Sequence, residues 1–375
     1  KASDDDMPDY LLLFGDASYD YKDKIASNTN FIPTWQSPES YSPISSLPSD
    51  DYYGTLDEGE GFSYADVIDI GIGRLPVKTP EEAEQAVDKI IHYSVPSPEN
   101  QGDWKNIITF VAVDVDLNEH IDQSEQLAVN IAISFPVINL DKIYLDSYVQ
   151  VAAPGGNRYP DVNKAITQRV EKGSLILNYT GHGGETGWAH EEVLTVSEIN
   201  NWSNFNSLPV FVTATCEFSR FDDPGRQAAG EMVLTNPKGG GIALFTTTRP
   251  TYGTPNFELN KKFYQYAMSK PDGQRLRMGD IIRNSKRDKG ANENGRKYVL
   301  LGDPALKISF PSYTVTTTKV NGRVPGNGAD TLKAYMEVTV EGMITDEQGN
   351  IVADFNGTVS PSVFDKSVTM KTLGN

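Results

Sequence analysis

The sequence predicts an α/β protein in which a mostly parallel β-sheet carries helices on both faces. Its candidate strands, among them residues 107–113, 175–179 and 209–215, are apolar along their whole length. They alternate with helical segments, and strands that are apolar on both sides belong to parallel sheets that are covered on both faces. Beyond about Pro311, apolar residues instead recur at every second position, which indicates a separate all-β unit.

Composition restricts the size and the partners of this fold. The chain has 375 residues, 38% of them hydrophobic, which allows a large core and predicts two or three units. Its net charge of -18 argues against nucleic acid and anionic membrane surfaces as partners. No apolar run approaches the roughly 18 to 20 residues of a transmembrane helix. A single cysteine excludes an intrachain disulfide, and the start at Lys1 rather than Met predicts a piece of a longer protein.

Residues 1–95 are predicted to form an N-terminal α/β subdomain. They contain strands at 9–14 and 67–75, which are separated by a long loop rich in Ser, Pro, Asn and Tyr. A helix is expected from Pro80 to about Tyr93, with Thr79 as its N-cap and Glu82 completing a capping box. The segment 95–100 resembles a linker.

Residues 96–310 are predicted to form a second α/β subdomain, and residues 311–375 a small all-β domain. In the second subdomain, strands are expected at 107–113, 142–145, 175–179, 209–215, 241–245 and 298–301, and helices at 119–135, 161–172, 226–235, 256–268 and 278–289. In the last domain, strands are expected at 313–318, 335–340 and 351–355, with a hairpin turn at 346–350. About 65 residues fall short of the roughly 100 of an immunoglobulin-like sandwich, so the sequence is expected to end inside or just past this domain.

Reactive and polar side chains follow four of the predicted strands. They are Asp114, His182, Cys216 and the turn at residues 246–249. Because ligands bind beyond the carboxyl ends of parallel strands, these positions are expected to share one edge of the sheet. A thiol attacks only as thiolate, and a nearby imidazole raises the thiolate fraction, so Cys216 and His182 predict a nucleophile and its base.

Further groups would complete this chemistry. The N–H groups of Gly183 and Cys216 are placed to bind a carbonyl oxygen as the carbon becomes tetrahedral. A carboxylate that is hydrogen-bonded to the imidazole of His182 would fix its tautomer. Asp114 is the first candidate by strand position, and Asp116 is the next.

Alternative interpretations of the same residues stay open. A lone cysteine is more often a small buried hydrophobe than a nucleophile. His92 and His120 are expected at the surface, and His190 is a weaker alternative base than His182. Trp188 is as consistent with the core as with a substrate-binding wall.

Two other kinds of site have weaker support. Residues 181–184 resemble a phosphate cradle, but they lack the G-x-G-x-x-G spacing and the lysine of a P-loop. A zinc site that used His182 and Glu185 would need more ligands, and no H-E-x-x-H motif is present.

At these residues the sequence resembles the gingipain family of cysteine peptidases. Residues 178–188 look like the catalytic histidine motif of that family, and residues 212–216 look like its nucleophile strand. Shorter matches lie at residues 11–16, 49–54, 72–74 and 301–304. The resemblance therefore spans about residues 9–310.

The resemblance implies a caspase-like three-layer α/β/α fold in two subdomains, followed by an immunoglobulin-like domain, with residues 96–310 as the catalytic subdomain. By position, Cys216 is the nucleophile and His182 the general base and acid. Gly183 and Cys216 supply the oxyanion-hole N–H groups, and Asp114 stands where the family places an acidic third member. No cofactor is required for the chemistry. Structural calcium is implied, without identified ligands.

Residues 246–256 resemble the substrate-pocket loop of the family. The substrate-binding candidates are Glu217, Trp188, Arg249 and Tyr252. Gingipains carry a tryptophan in this loop where this chain has residues 249–252, so their Arg or Lys specificity is not transferred.

Residues 216–224 most resemble the sortase-like branch of the family, which serves the type IX secretion system of Bacteroidetes. This likeness implies an endopeptidase or transpeptidase that removes C-terminal sorting domains from secreted proteins and joins the new end to a surface glycolipid. It also implies outer-membrane secretion partners and a location at the cell surface of a Gram-negative bacterium. The alternatives from other classes are a catalytically idle scaffold or adhesion module that binds protein partners, and a nucleotide-binding α/β protein.

Overall fold

The computed structural model describes residues 7–39, 41–326, 332–333, 335–346 and 348–359. The described chain separates into two compact units, the first ending at Ser309 and the second beginning at Phe310. The sheet of the first unit continues across the boundary predicted near residue 95, because a strand before that position pairs with a strand after it. Two subdomains with a boundary at residue 95 stay a prediction.

One eight-stranded sheet forms the centre of the first unit. Its strands are β1 (Tyr10–Phe14), β2 (Gly71–Leu75), β3 (Ile107–Ala112), β4 (Asn139–Tyr144), β5 (Ile176–Thr180), β6 (Val210–Ala214), β7 (Ala243–Thr247) and β8 (Tyr298–Leu301). Their order across the sheet is β1-β2-β8-β7-β6-β5-β3-β4. Every neighbouring pair is parallel except β7 and β8. The strands β3 to β7 therefore run in one direction, and β1, β2 and β8 run in the other.

Helices cover both faces of this sheet. They are α1 (Pro80–Ser94), α2 (Glu119–Ser134), α3 (Pro160–Lys172), α4 (Val196–Asn201), α5 (Ala229–Thr235), α6 (Gly253–Ala267), α7 (Met278–Lys289) and α8 (Glu293–Arg296). One core cluster joins Val111, Leu177 and Phe211 of the sheet to α1, α3, α4 and α5. On the other face, Phe245 packs against Phe263 of α6 with ring centroids 5.9 Å apart, and α2 and α7 pack against α6. The predicted α/β fold with a mostly parallel, doubly covered sheet is confirmed.

The local signals in the sequence explain most element ends. Thr79 caps α1, because its hydroxyl oxygen accepts the N–H of Glu82 at 3.1 Å. The carboxylate of Glu82 accepts the N–H of Lys78 instead of closing the expected capping box on Thr79. Gly173 ends α3 with a φ of 88°, a backbone conformation that favours glycine. The sequence interpretation missed α4 and the short three-stranded sheet formed by residues 183–195.

Strand register brings the candidate residues to one edge of the sheet. Ala112 of β3 pairs with Thr180 of β5, and Thr180 pairs with Ala214 of β6. Because all three strands are parallel, the positions two residues further along lie at the same level. Those positions are 114, 182 and 216.

The second unit is a hairpin in its described part. Its strands β9 (Thr314–Val320) and β10 (Val340–Thr345) pair antiparallel. Only Val340 of the strand predicted at 335–340 belongs to a β-strand in the structure. The strand predicted at 351–355 does not form: Ile351 makes an isolated bridge to Thr345, and the chain turns at residues 353–354, where Asp354 disfavours a strand. Residues 360–375 lie outside the described part, so an immunoglobulin-like domain stays a prediction.

Candidate active site

Cys216 stands at the carboxyl end of β6, whose five residues are all buried. The thiol itself is half-buried, so the sheet fixes its position while a reactant can still reach it. The backbone N–H of Thr251 points at Sγ at 3.4 Å, a contact that stabilises negative charge on sulfur. Glu217 follows with a φ of 50°, a left-handed conformation that is costly for a residue with a side chain. Strain of this kind is typical of functional sites.

His182 stands at the corresponding end of β5. Its backbone carbonyl accepts the N–H of Ala189 at 2.8 Å and the hydroxyl of Tyr179, which fixes the turn that carries the ring. The imidazole is 43% exposed, and its Nε2 lies 2.7 Å from Oδ2 of Asp116. Because Nε2 is hydrogen-bonded to Asp116, Nδ1 is the ring nitrogen that remains available to exchange a proton with a reacting group.

Gly183 allows the turn that carries His182 to lie close to the end of β6. A Cβ at this position would lie 2.6 Å from Oγ1 of Thr215, the residue before Cys216. At the neighbouring Gly184, a Cβ would meet nothing within 4 Å. Only glycine fits at position 183, because the side chain of Thr215 lies too close for a Cβ. At Gly184 there is room for a side chain.

Of the two acidic candidates that the sequence offered, the structure places Asp116 in hydrogen-bond contact with the imidazole, and the catalytic role of either one stays a prediction. Asp114 is buried and accepts the hydroxyl hydrogen of Tyr159 at 2.6 Å, whereas Asp116 is the carboxylate hydrogen-bonded to His182. That hydrogen bond holds the pKa of Asp116 below its usual value, and burial raises the pKa of Tyr159. The physical reason lies in the backbone after β3. Asp116, Leu117 and Asn118 have φ values of 56°, 57° and 64°, and this left-handed turn folds the carboxylate back towards the imidazole.

We expect the Asp116→Asn variant to alkylate Cys216 with iodoacetamide at least about 10-fold more slowly than the wild type, because the amide no longer favours the imidazole tautomer and charge that assist the thiol. The Asp114→Asn variant keeps an acceptor for Tyr159 and is expected to alkylate within about 3-fold of the wild type. Alkylation rates at neutral pH measure both effects. If the Asp114→Asn variant alkylated slowly and the Asp116→Asn variant alkylated at the wild-type rate, Asp114 would be the acidic partner of His182.

Two further histidines lie beside His182. The ring of His120 is 5.4 Å from that of His182 and is buried, which corrects the surface position expected from the sequence. Its burial follows from its place in the first turn of α2, which packs against β5. The ring of His190 is 5.7 Å from His182 and the residue is exposed. His92, also expected at the surface, is half-buried and packs against Phe205.

Two of the substrate-binding candidates border a cleft of about 680 Å³ on the Cys216 side. Glu217 lines this cleft, and burial raises the pKa of its carboxyl. Arg249 also lines it, but its guanidinium is almost completely buried and donates to both carboxylate oxygens of Asp222, at 2.8 and 2.6 Å. The charge of Arg249 is therefore already paired within the protein, and its first role is to hold the cleft wall.

The other two candidates differ in exposure. Trp188 is completely buried, and its ring stacks on that of Tyr179 with centroids 4.2 Å apart. It belongs to the core and also lies in the wall of a second cleft of about 510 Å³ beside His182, so its role as a substrate-binding residue stays a prediction. Tyr252 is 57% exposed just before α6 and is free to contact a ligand through its ring.

A hydrogen-bond network holds the loop before α6 against Thr215 and Cys216. Thr251 donates its hydroxyl to the carbonyl of Thr215 at 3.0 Å and accepts from Asn256 at 2.9 Å. Asn294 donates to Asn256 and accepts the backbone N–H of Tyr252. The loop predicted as a substrate-pocket loop is therefore anchored from both sides, and residues 293–296 of α8 are part of that support, which the sequence did not indicate.

A buried lysine adds positive charge near the thiol. Lys297 is almost completely buried, and its Nζ lies 3.3 Å from a carboxylate oxygen of Glu293 and 5.8 Å from the ring centre of Tyr252. Burial lowers its pKa, while interaction with Glu293 and then Cys216 opposes that shift. A cation here would stabilise a thiolate at Cys216.

One acidic cluster has the chemistry of a calcium site. Asp57, Glu60 and Asp69 bring three carboxylate oxygens within 4.8 Å of one another. Calcium takes oxygen ligands of this kind, so these residues would hold the ion if the chain binds one. Calcium binding stays a prediction. None of the helices in the described residues is long and apolar enough to cross a membrane.

The chain is similar to known cysteine peptidases of the gingipain kind. A family model described as peptidase family C25 matches residues 1–309. Gingipain R1 of Porphyromonas gingivalis is 22% identical over 368 residues, covering 94% of this chain and 31% of that protein. Lys-gingipain HG66 of the same organism is 25% identical over 177 residues, covering 47% of this chain and 9% of that protein. The chain thus spans less than a third of the length of these curated relatives.

A solved structure has the same fold. The crystal structure of the Arg specific cysteine proteinase gingipain R (RgpB) superposes with a TM-score of 0.63 at 20% sequence identity. The superposition covers 84% of this chain and 68% of the other. At this level of identity the likeness establishes the fold alone.

Proposed function

The chain belongs to peptidase family C25, and we propose that it is a cysteine endopeptidase in which Cys216 is the nucleophile and His182 the general base. One observation carries the proposal. The parallel strands β5 and β6 pair in register and end at His182 and Cys216, and Gly183 lies directly against the residue before the thiol. Open clefts border this edge, one lined by His182 and Gly183 and the other by Glu217, and they leave room for a polypeptide substrate.

The proposed reaction proceeds in two halves. His182 takes the thiol proton of Cys216, and Sγ attacks the scissile carbonyl carbon. The N–H groups of Gly183 and Cys216 stabilise the oxyanion of the tetrahedral intermediate. His182 then gives its proton to the leaving amine, and the C–N bond breaks to leave a thioester on Cys216. Water, or an amine acceptor, attacks the thioester and releases the product and the thiol.

We expect the Gly183→Ala variant to lose about 100-fold in kcat/KM for peptide cleavage. The added Cβ would meet Oγ1 of Thr215 at 2.6 Å, so the turn has to move and displaces both His182 and an oxyanion donor. The matched Gly184→Ala variant has open space around its Cβ and is expected to stay within about 3-fold of the wild type. Equal losses in the two variants would mean that this close approach does not position the site.

The endopeptidase proposal is tested by incubating the protein with unfolded polypeptide and identifying the cleavage products by mass spectrometry. Cleavage by the wild type and none by the Cys216→Ala variant is the expected result. Equal turnover would exclude Cys216 as the nucleophile. No cleavage by either would favour the alternative of an idle scaffold that binds protein partners.

A finer proposal concerns the acceptor and the place of action. Residues 216–224 are similar in sequence to PorU, a sortase-like member of the family, and this likeness supports removal of C-terminal sorting domains at the surface of a Gram-negative cell. It also supports transfer of the new end to a glycolipid amine in contact with outer-membrane secretion partners. Hydrolysis and transfer use the same thioester. Mass spectrometry of the products with and without an added amine distinguishes them, since only transfer adds the mass of the amine.

A further inference from the structure

Three metal-ligating side chains meet at the histidine end of the site. Asp116, His120 and His182 each bring one ligand atom into a group whose members all lie within 4.8 Å of one another. Oδ2 of Asp116 is 2.7 Å from Nε2 of His182 and 3.4 Å from Nε2 of His120. The proposed peptidase mechanism uses two of these groups and leaves His120 without a role.

His120 is the part of this group that protein contacts do not explain. The residue is 8% exposed, its Nδ1 has no hydrogen-bond partner in the described part of the chain, and its Nε2 has only a loose 3.4 Å contact with Oδ2 of Asp116 that does not meet hydrogen-bond geometry. A buried polar group that lacks such a partner destabilises the fold. Nε2 faces the same carboxylate oxygen that His182 binds. A cation bound between the three groups would give Nε2 of His120 a partner without any movement of its ring.

The donor set determines which cation fits. Two imidazoles and one carboxylate are ligands for zinc and its late first-row neighbours, whereas calcium and magnesium take oxygen ligands. Tetrahedral zinc with bonds of about 2.0–2.1 Å separates its ligand atoms by about 3.3 Å. The separation of Asp116 and His120 already has this value, and that of Asp116 and His182 has to widen by about 0.6 Å. His182 is half exposed, so its ring has room for this movement.

We propose that Asp116, His120 and His182 form an inhibitory Zn²⁺ site. Zinc takes the lone pair of Nε2 of His182 and a carboxylate oxygen of Asp116, and the ring proton that they shared moves to Nδ1, which then has no lone pair for the thiol proton. An imidazole held in this way no longer takes the proton of Cys216, so zinc inhibits the peptidase until it is removed. The fourth position of the metal stays open to water. The inhibitory consequence rests on the proposed function, whereas binding of the metal does not.

The binding is tested directly with the Cys216→Ser variant, in which the thiolate cannot ligate. Calorimetric titration with Zn²⁺ is expected to give one high-affinity site per chain. Replacing His120 with Asn in this background should weaken binding at least about 10-fold, since even loss of an outer-shell partner costs that much. The matched His190→Asn variant, whose ring lies at a similar distance from His182, should bind as before. Equal weakening by both changes, or no binding to the Cys216→Ser variant, would overturn the proposal.

Two further measurements keep the test decisive if the His120→Asn variant folds poorly. Asp116 is 52% exposed, so the Asp116→Asn variant should fold and should also lose affinity for Zn²⁺. Co²⁺ bound to the wild type should show visible bands of an imidazole and carboxylate site without a thiolate-to-metal band in the near ultraviolet. A strong thiolate band would mean that Cys216 is a ligand and would overturn the assignment.

Alkylation of Cys216 by iodoacetamide reports the inhibitory effect. Zn²⁺ should slow alkylation of the wild type over the concentration range in which it binds, and EDTA should restore the rate. The His120→Asn variant should be resistant to the same Zn²⁺ concentrations. Zinc that binds at this site without slowing alkylation would overturn the inhibitory part. Zinc binding as described in a protein that cleaves no peptide would contradict the proposed function alone.

Discussion

Replacing His182 with alanine is expected to lower kcat for peptide cleavage by about 10²- to 10⁴-fold, the range in which a general base contributes. In the proposed mechanism, the imidazole takes the thiol proton of Cys216 and returns it to the leaving amine. The clefts on either side are the proposed substrate-binding surfaces, so KM should change little. Steady-state kinetics on a defined peptide measure both quantities.

The matched control for this variant is His190→Ala. The ring centroid of His190 lies 5.7 Å from that of His182, but His190 is exposed and does not stand at the end of a strand of the central sheet. We expect it to keep kcat within about 3-fold of the wild type. Equal losses of activity in the two variants would contradict the assignment of His182 alone as the base.

Replacing Asp222 with alanine is expected to destabilise the first unit by about 3–5 kcal/mol, which is the usual cost of leaving one charge of a buried pair unpaired. Asp222 is completely buried, and both of its carboxylate oxygens accept from the guanidinium of Arg249. Arg249 also donates to the carbonyl of Ser46 at 2.6 Å, so the pair joins the loop after β7 to the N-terminal loop. Urea unfolding followed by circular dichroism measures the free energy of unfolding.

Two controls separate this structural role from substrate binding. The neighbouring Asp223→Ala variant removes a partly exposed carboxylate that lies 3.9 Å from Arg220, and it should cost less than about 1 kcal/mol. A double variant, Asp222→Leu with Arg249→Met, removes both charges and should recover most of the stability. A stable Asp222→Ala variant that lost only substrate affinity would restore Arg249 to the binding role expected from the sequence.

Local patterns were sufficient to predict where the strands of the central sheet lie along the chain. Apolar runs such as residues 175–179 and 209–215 coincide with β5 and β6, and the positions of His182 and Cys216 follow from where those runs end. The reversal of β8, which makes β1 and β2 run against β3 to β7, depends on pairing between distant segments. No local pattern carries that information.

The surroundings of the nucleophile were harder to predict for a similar reason. The partner of His182 is Asp116 because three successive residues adopt left-handed backbone conformations, which side-chain types alone do not indicate. His120 was expected at the surface because it begins a helix, but the packing of α2 on β5 buries it. Tertiary contacts decided both positions, and both affect the chemistry that the site can perform.

The rate of Cys216 alkylation by iodoacetamide near neutral pH tests the central claim most directly. A free cysteine with a pKa near 8.5 is only about 3% thiolate at pH 7, so an activated thiol can react up to about 30-fold faster. We predict alkylation clearly faster than that of a free thiol in the wild type, and a fall to the free-thiol rate in the His182→Ala variant. Alkylation of the wild type no faster than a free thiol would contradict the assignment of Cys216 and His182 as a nucleophile and its base.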